Sequence, residues 1–174
     1  NLKTYSSAQL GLEFSYSDKL FAHERTHTGD FGKINTIDIT PDKELKIQGM
    51  DGNVSNYDVL VTVEDLPSDQ KSFTIKQHLA RIQKENTYMY MEDAWKDYVL
   101  KEFAKVGLGF DTRMVTINGV EFIESPFFSE LENYTTAIYY TFKDGKGYSF
   151  RPRSHKNRQS VEYLNQALNS LKFK

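Results

Sequence analysis

The sequence predicts an α+β fold, a mainly antiparallel sheet with helices packed on both of its faces in an α/β/α sandwich. Three observations carry this. Apolar residues recur with period two in the first and last parts of the chain, while helical spacing governs the middle and the C-terminal end. Tight turn signals, above all Asn118-Gly119, join the strands as hairpins and not as crossovers. The segment from Thr136 to Phe142 is apolar or aromatic at both parities, as a strand covered on both sides must be. Strands, two helices, strands and one helix in that order give helices laid on an antiparallel sheet.

The elements follow in turn. Leu12, Phe14 and Tyr16 alternate with Glu13 and Ser15, and with a partner around Thr4 to Ala8 and the turn former Gly11 they make an opening hairpin. Ile37 and Ile39, then Leu45 and Ile47, then Tyr57, Val59, Val61 and Val63 form further period-two series, with a turn at Asp51-Gly52 between the last two. After Pro67 the period changes: Ser72 is placed to cap a helix whose face carries Ile75, Leu79 and Ile82. A second helix aligns Met91, Trp95, Tyr98, Val99 and Phe103 and stops near Gly107 and Gly109. Val115 and Ile117 meet Val120 and Phe122 across Asn118-Gly119. The turn Asp144-Gly145-Lys146-Gly147 leads to Tyr148 and Phe150, and Val161, Leu164, Leu168 and Leu171 line a closing amphipathic helix.

Composition narrows the chemistry. The chain has 174 residues, 24 acidic and 22 basic side chains, a net charge of −2 and no cysteine. Thiolate nucleophiles, disulfides and cysteine-bound zinc are therefore excluded. A near-neutral chain gives no global electrostatic case for nucleic acid, and no apolar run approaches the ~20 residues that span a bilayer. Residues 1–174 read as a single domain without repeats or linkers. The start at Asn1, followed by the polar stretch to Ser7, suggests a processed or trimmed beginning.

Particular residues resemble the PsbP-like family. Tyr5 and the string Gly11-Leu12-Glu13-Phe14-Ser15-Tyr16-Ser17 are similar to that family's glycine-aromatic strand, with Ser17 where proline is usual. Ile117-Asn118-Gly119-Val120-Glu121-Phe122 resembles its Asn-Gly-aromatic hairpin, and Gly147-Tyr148-Ser149-Phe150 and the terminal Ser170-Leu171-Lys172-Phe173 follow in the same order. The family includes the extrinsic PsbP subunit of photosystem II, a Ran-binding nuclear import factor, and bacterial secreted proteins and lipoproteins. The resemblance implies an accessory or binding role without a shared catalytic constellation, so no catalytic residue and no cofactor is carried over.

Four strings invite a chemical reading. His23-Glu24-Arg25-Thr26-His27 matches the His-Glu-x-x-His pattern, in which a helix turns two imidazoles toward one zinc and the glutamate toward its water. The stretch runs into Thr28-Gly29-Asp30-Phe31-Gly32, so a polar loop is the preferred reading, with His23 and His27 as an adventitious metal pair at most. Asp51 to Asp58 begins like a calcium loop but has Asn56 at the glycine position and Thr62 at the glutamate position; a hairpin turn explains it. Arg151, Arg153, His155, Lys156 and Arg158 form a basic loop before the last helix, either simply solvated or suited to a phosphate or an acidic partner surface.

Phe127 and Phe128, after Pro126 in an expected loop, would mark an interaction patch if exposed, with Glu121, Glu124, Glu130 and Glu132 around them. Of Tyr88, Tyr90, Trp95, Tyr98, Tyr134, Tyr139 and Tyr140, most are expected in the core, Trp95 and Tyr98 through the helix stripe and Tyr139 and Tyr140 through the central strand. The favoured expectation is a monomeric, non-enzymatic, protein-binding domain of a bacterial extracytoplasmic protein, which an upstream lipid anchor could tether. Two alternatives stand beside it. One is an intracellular partner of a nucleotide-binding protein, contacted through Arg151 to Arg158. The other is a metal-dependent hydrolase using His23, Glu24 and His27.

Overall fold

The computed structural model describes residues 1–29, 32–45, 47–48, 53–54, 56–87, 93–129 and 134–174; for residues 47, 48, 53, 54, 87, 93 and 94 it describes the backbone alone. The expected turn at Asp51-Gly52, together with Tyr88, Tyr90, Met91, Glu130 and Glu132, lies outside them. The strands are β1 Leu2–Ser7, β2 Leu12–Ser17, β3 Phe21–Gly29, β4 Gly32–Thr40, β5 Ile47–Gln48, β6 Asn53–Val54, β7 Val59–Asp65, β8 Arg113–Ile117, β9 Val120–Ser129, β10 Tyr134–Lys143, β11 Lys146–Pro152 and β12 Lys172–Phe173. The helices are α1 Ile75–Thr87, α2 Asp93–Lys105 and α3 Arg158–Ser170.

A seven-stranded sheet runs β3-β4-β7-β11-β10-β9-β8, and β1, β2 and β12 form a smaller sheet. All strand pairs are antiparallel, and the registers are set by the turns. Asn118 and Gly119 adopt φ 49 and 81, and Asp144 and Gly145 φ 51 and 74, the left-handed pairs that close two-residue hairpins.

One face of the large sheet presents Ile37, Ile39, Val59, Val61, Val63, Phe122, Tyr148 and Phe150 to Leu12, Phe14 and Tyr16 of β2 and to Leu164, Ala167, Leu168 and Leu171 at the end of α3. Phe150 sits at its centre, edge-on to Phe14 and to Phe122 at 6.2 Å each. α3 begins where Asn157 Oδ1 accepts from Ser160 N at 3.2 Å.

The other face carries α1. His78 stacks on Phe142 of β10 at 3.6 Å, and one helical stretch later Asn86 Nδ2 donates to Ser125 Oγ of β9 at 2.8 Å. The cap of α1 is Thr74, not Ser72: Gln77 N donates to Thr74 Oγ1 at 3.3 Å while Thr74 N donates to Gln77 Oε1 at 2.8 Å, a reciprocal box that Ser72 has no glutamine or glutamate to complete. α2 ends where Gly107, at φ 74, lets Leu108 N reach Phe103 O at 3.0 Å.

Candidate functional site

Where β11 leaves the sheet, its last residues and the turn before α3 carry the basic cluster. Arg151 follows Phe150 and so points to the opposite face, where its guanidinium carbon lies 5.7 Å from the Tyr57 ring and 6.0 Å from the Tyr134 ring. Arg153 Nη1 donates to Asn56 Oδ1 at 3.0 Å, and Lys156 Nζ lies 3.4 Å from Glu102 Oε2 of α2. Arg158, 94% exposed, reaches Glu162 one turn along at 3.5 Å.

His155 fixes this turn to the sheet. Its backbone N donates to Thr135 O at 2.8 Å, and its ring Nδ1 accepts from Ala137 N at 3.1 Å, serving as the acceptor for a strand amide. Burial holds the imidazole down to about 4, against the pull of Glu124. The arginines therefore stand on a turn pinned to β10.

The aromatic pair expected beside them is not an exposed loop. Phe127 and Phe128 belong to β9, which continues through Pro126 to Ser129, so the two rings face opposite sides of the sheet. Phe128, 6% exposed, packs under Trp95 and Tyr98 of α2 with centroids 5.8 and 5.7 Å away. It cannot meet a partner. Phe127 is half-buried against Tyr134 at 6.0 Å and borders the Arg151 side. Tyr98, expected in the core, is 44% exposed.

The His-Glu-x-x-His string is neither a helix nor a loop but strand β3, paired along its whole length with β4. In a strand the two imidazoles share a face and stand ~13 Å apart along it, and the intervening glutamate faces the other way. A zinc ion needs its two nitrogen ligands at ~2.0–2.1 Å, so His23 and His27 cannot share one. Each has another role: His23 Nε2 lies 3.0 Å from Asp42 O, and His27 Nε2 lies 3.4 Å from Thr36 Oγ1. Between them Arg25 Nε donates to Asp38 Oδ2 at 2.8 Å, and on the opposite face Glu24 accepts from Tyr5 Oη at 2.7 Å. Among the described residues no three His, Asp or Glu side chains gather around a point where an ion could sit.

Beside α1, β10, β11 and β7 leave part of the sheet face open. A cleft of about 220 Å³ lies there, walled by Arg81 and Glu85 of α1 and floored by Thr62, Glu64, Tyr140 and Ser149. Arg81 Nη1 donates to Glu85 Oε1 at 2.8 Å, while Arg81 Nε is buried with no acceptor among the described residues. Burial raises the Tyr140 hydroxyl above its usual range against the pull of Arg151. A second cavity of about 360 Å³ lies between α1 and α2, but its amides are paired: Gln83 Nε2 donates to Thr112 O at 2.9 Å and Asn86 Nδ2 to Thr112 Oγ1 at 2.7 Å.

The sequence matches no family model and no curated protein. Among solved structures it is similar to cyanobacterial PsbP (CyanoP) from Synechocystis sp. PCC 6803, with a TM-score of 0.52 and 13% identity over 99% of this chain and 92% of that one. The fold is PsbP-like. A Bacteroides thetaiotaomicron structure matches with a TM-score of 0.49 and 10% identity, covering 99% of this chain and 48% of that one. This chain thus spans about half the length of the Bacteroides chain.

On this PsbP-like scaffold the sequence pattern singles out the arginines as a candidate contact and passes over the cleft. A signal existed. Extending the stripe through Ile75, Leu79 and Ile82 by helical steps adds His78 and Asn86, polar residues on a face expected to be apolar. Arg81, next to Ile82, flanks that stripe, and Glu64 and Thr62 alternate with the core valines of β7.

Proposed function

We propose that this PsbP-like chain is a single-domain, non-enzymatic accessory protein of an extracytoplasmic compartment, and that it docks on an acidic protein surface through Arg151, Arg153 and Arg158. The observation that carries this reading is the setting of Arg151. Its guanidinium is flanked by Tyr57 and Tyr134, and exposed Arg153 and Arg158 continue the positive edge around the start of α3. A planar cation held by aromatic rings loses little side-chain freedom on binding, which is why arginine and tyrosine are enriched at the centres of interfaces. Phe127 adds apolar area beside them; Lys156 serves to tie the turn to α2. The extracytoplasmic setting rests on the family resemblance alone.

Affinity capture from an extract of the source organism tests this reading, comparing the wild-type chain with an Arg151→Ser, Arg153→Glu, Arg158→Glu variant. A protein retained by the first, lost by the second and eluted by moderate salt is the expected result. Equal retention by both chains, or no protein retained by the wild type, overturns it.

A further inference from the structure

The cleft beside α1 gathers on its floor polar side chains that do not pair with one another among the described residues. Elsewhere on the sheet several polar side chains are joined in pairs, Arg25 to Asp38 and Tyr139 to Glu124. In the cleft the hydroxyls of Thr62, Ser149 and Tyr140 and the carboxylate of Glu64 make no side-chain hydrogen bond among the described residues, and Arg81 uses one nitrogen on Glu85 while its Nε has no acceptor. Charges of both signs thus meet across an open space without closing it.

A second observation concerns the floor. Gly147 lies within the central strand β11, in unbroken register with Phe142 on one side and Glu64 on the other, so no bulge asks for glycine. Its φ is not in the left-handed region, and a Cβ there would lie 3.4 Å from Leu66 and 3.5 Å from Phe142, ordinary contact distances. Neither backbone nor packing requires the missing side chain. A glycine inside a strand costs stability and often marks the approach of a ligand.

We propose that this cleft binds a free α-amino acid with a small side chain. Arg81 is the partner for its carboxylate and Glu64 for its ammonium group, with Thr62, Ser149 and Tyr140 hydrogen-bonding the remainder; the side chain lies over Gly147 against Phe142 and Leu66. Charge favours a zwitterion over an ion of either sign, because Glu64 and Glu85 balance Arg81 and nearby Arg151. Size agrees. About 220 Å³ is below the ~300–1,000 Å³ of drug-sized sites and equals roughly seven water volumes of ~30 Å³.

The test is amide chemical-shift titration of the whole chain with glycine, L-alanine, L-serine and L-valine, using acetate and methylammonium as single-charge controls. At least one amino acid shifts Thr62, Ser149 and Gly147 while neither control does so at equal concentration. Gly147→Val, which fills the floor, abolishes the shifts while thermal unfolding stays intact; Gly147→Ala replaces it if the valine variant does not fold. Arg81→Gln and Glu64→Gln each weaken binding by about tenfold or more, the loss expected for one charged hydrogen bond. The proposal is overturned if no amino acid shifts these amides, if acetate binds as well as glycine, or if the floor-filling variant binds undiminished.

Discussion

The two faces of the seven-stranded sheet are made by alternate residues of the same strands, yet they are built on opposite terms. Under α3 and the small sheet, Ile37, Ile39, Val59, Val61, Phe122 and Phe150 are at most 1% exposed and form one hydrocarbon core. Toward α1 the next residues along those strands are Thr36, Asp38, Thr62, Ser149 and Arg151, some buried and paired, others open to the cleft. Burial of apolar area on one face supplies the driving force for folding. The second face is then free to keep polar groups in place, the setting that the proposed contacts need.

The sharpest way to break this comparison is to truncate one side chain on each face. Phe150→Ala is expected to cost ~3–5 kcal/mol, a large part of the ~5–15 kcal/mol that holds a domain folded. Thr62→Ala, on the neighbouring strand but facing the cleft, is expected to cost less than ~1 kcal/mol. Urea unfolding measures both, and similar losses would show that the faces share the load. Next comes the exception on the polar face: Asp38, 1% exposed, is paired with Arg25, 16% exposed. Asp38→Ala removes the buried carboxylate that accepts from two nitrogens of the guanidinium and is expected to cost ~3 kcal/mol or more, whereas a loss below ~1 kcal/mol would class the pair with surface salt bridges.

The same asymmetry explains what could be read from the sequence. Val59-Val61-Val63 and the stripe Leu164-Leu168-Leu171 declare the hydrocarbon face by period alone, and Asn118-Gly119 and Asp144-Gly145 declare its hairpins by the left-handed backbone they require. β3 was not legible as a strand because an edge strand can carry His23, Glu24, Arg25 and His27 without an apolar row, and charge on such an edge discourages further pairing. Phe127 and Phe128 resembled a loop because Pro126 precedes them; Pro126 sits opposite Ala137, whose amide turns away from it to the His155 ring, so this pair exchanges no ladder bond and proline's missing N–H is not needed there. The cleft was hidden because its members come from four separate elements and share no spacing.

Acid separates the faces by titration. His78, wholly buried with neither ring nitrogen hydrogen-bonded among the described residues, is held down to about 4 by burial and by Arg81, and His155 to about 4 by burial. An unfolded histidine takes up its proton near 6.5. Both groups therefore leave stability intact above about pH 6.5 and erode it as pH falls toward 4, below which the loss levels off. Each contributes a loss of about 2 kcal/mol at about pH 5. His78→Phe keeps the ring stack on Phe142, relieves the unpartnered nitrogens at neutral pH and removes roughly half of the acid loss; an unchanged pH profile in this variant would locate the titration elsewhere.

The smallest effect on folding belongs to the residue given the most exposed place in the proposed docking edge. Arg158 is 94% exposed, and its ion pair with Glu162 at i+4 lies in water where such pairs yield ~0.3–0.5 kcal/mol. Arg158→Ala should leave the urea midpoint almost unmoved. A positive side chain near the first turn of a helix also opposes the helix dipole, so removing it offsets part of even that small loss. If the substitution nevertheless weakens retention of the captured protein, the side chain serves contact and not the fold. A loss above ~1 kcal/mol in unfolding would instead place Arg158 in the structural framework that His155 pins to β10.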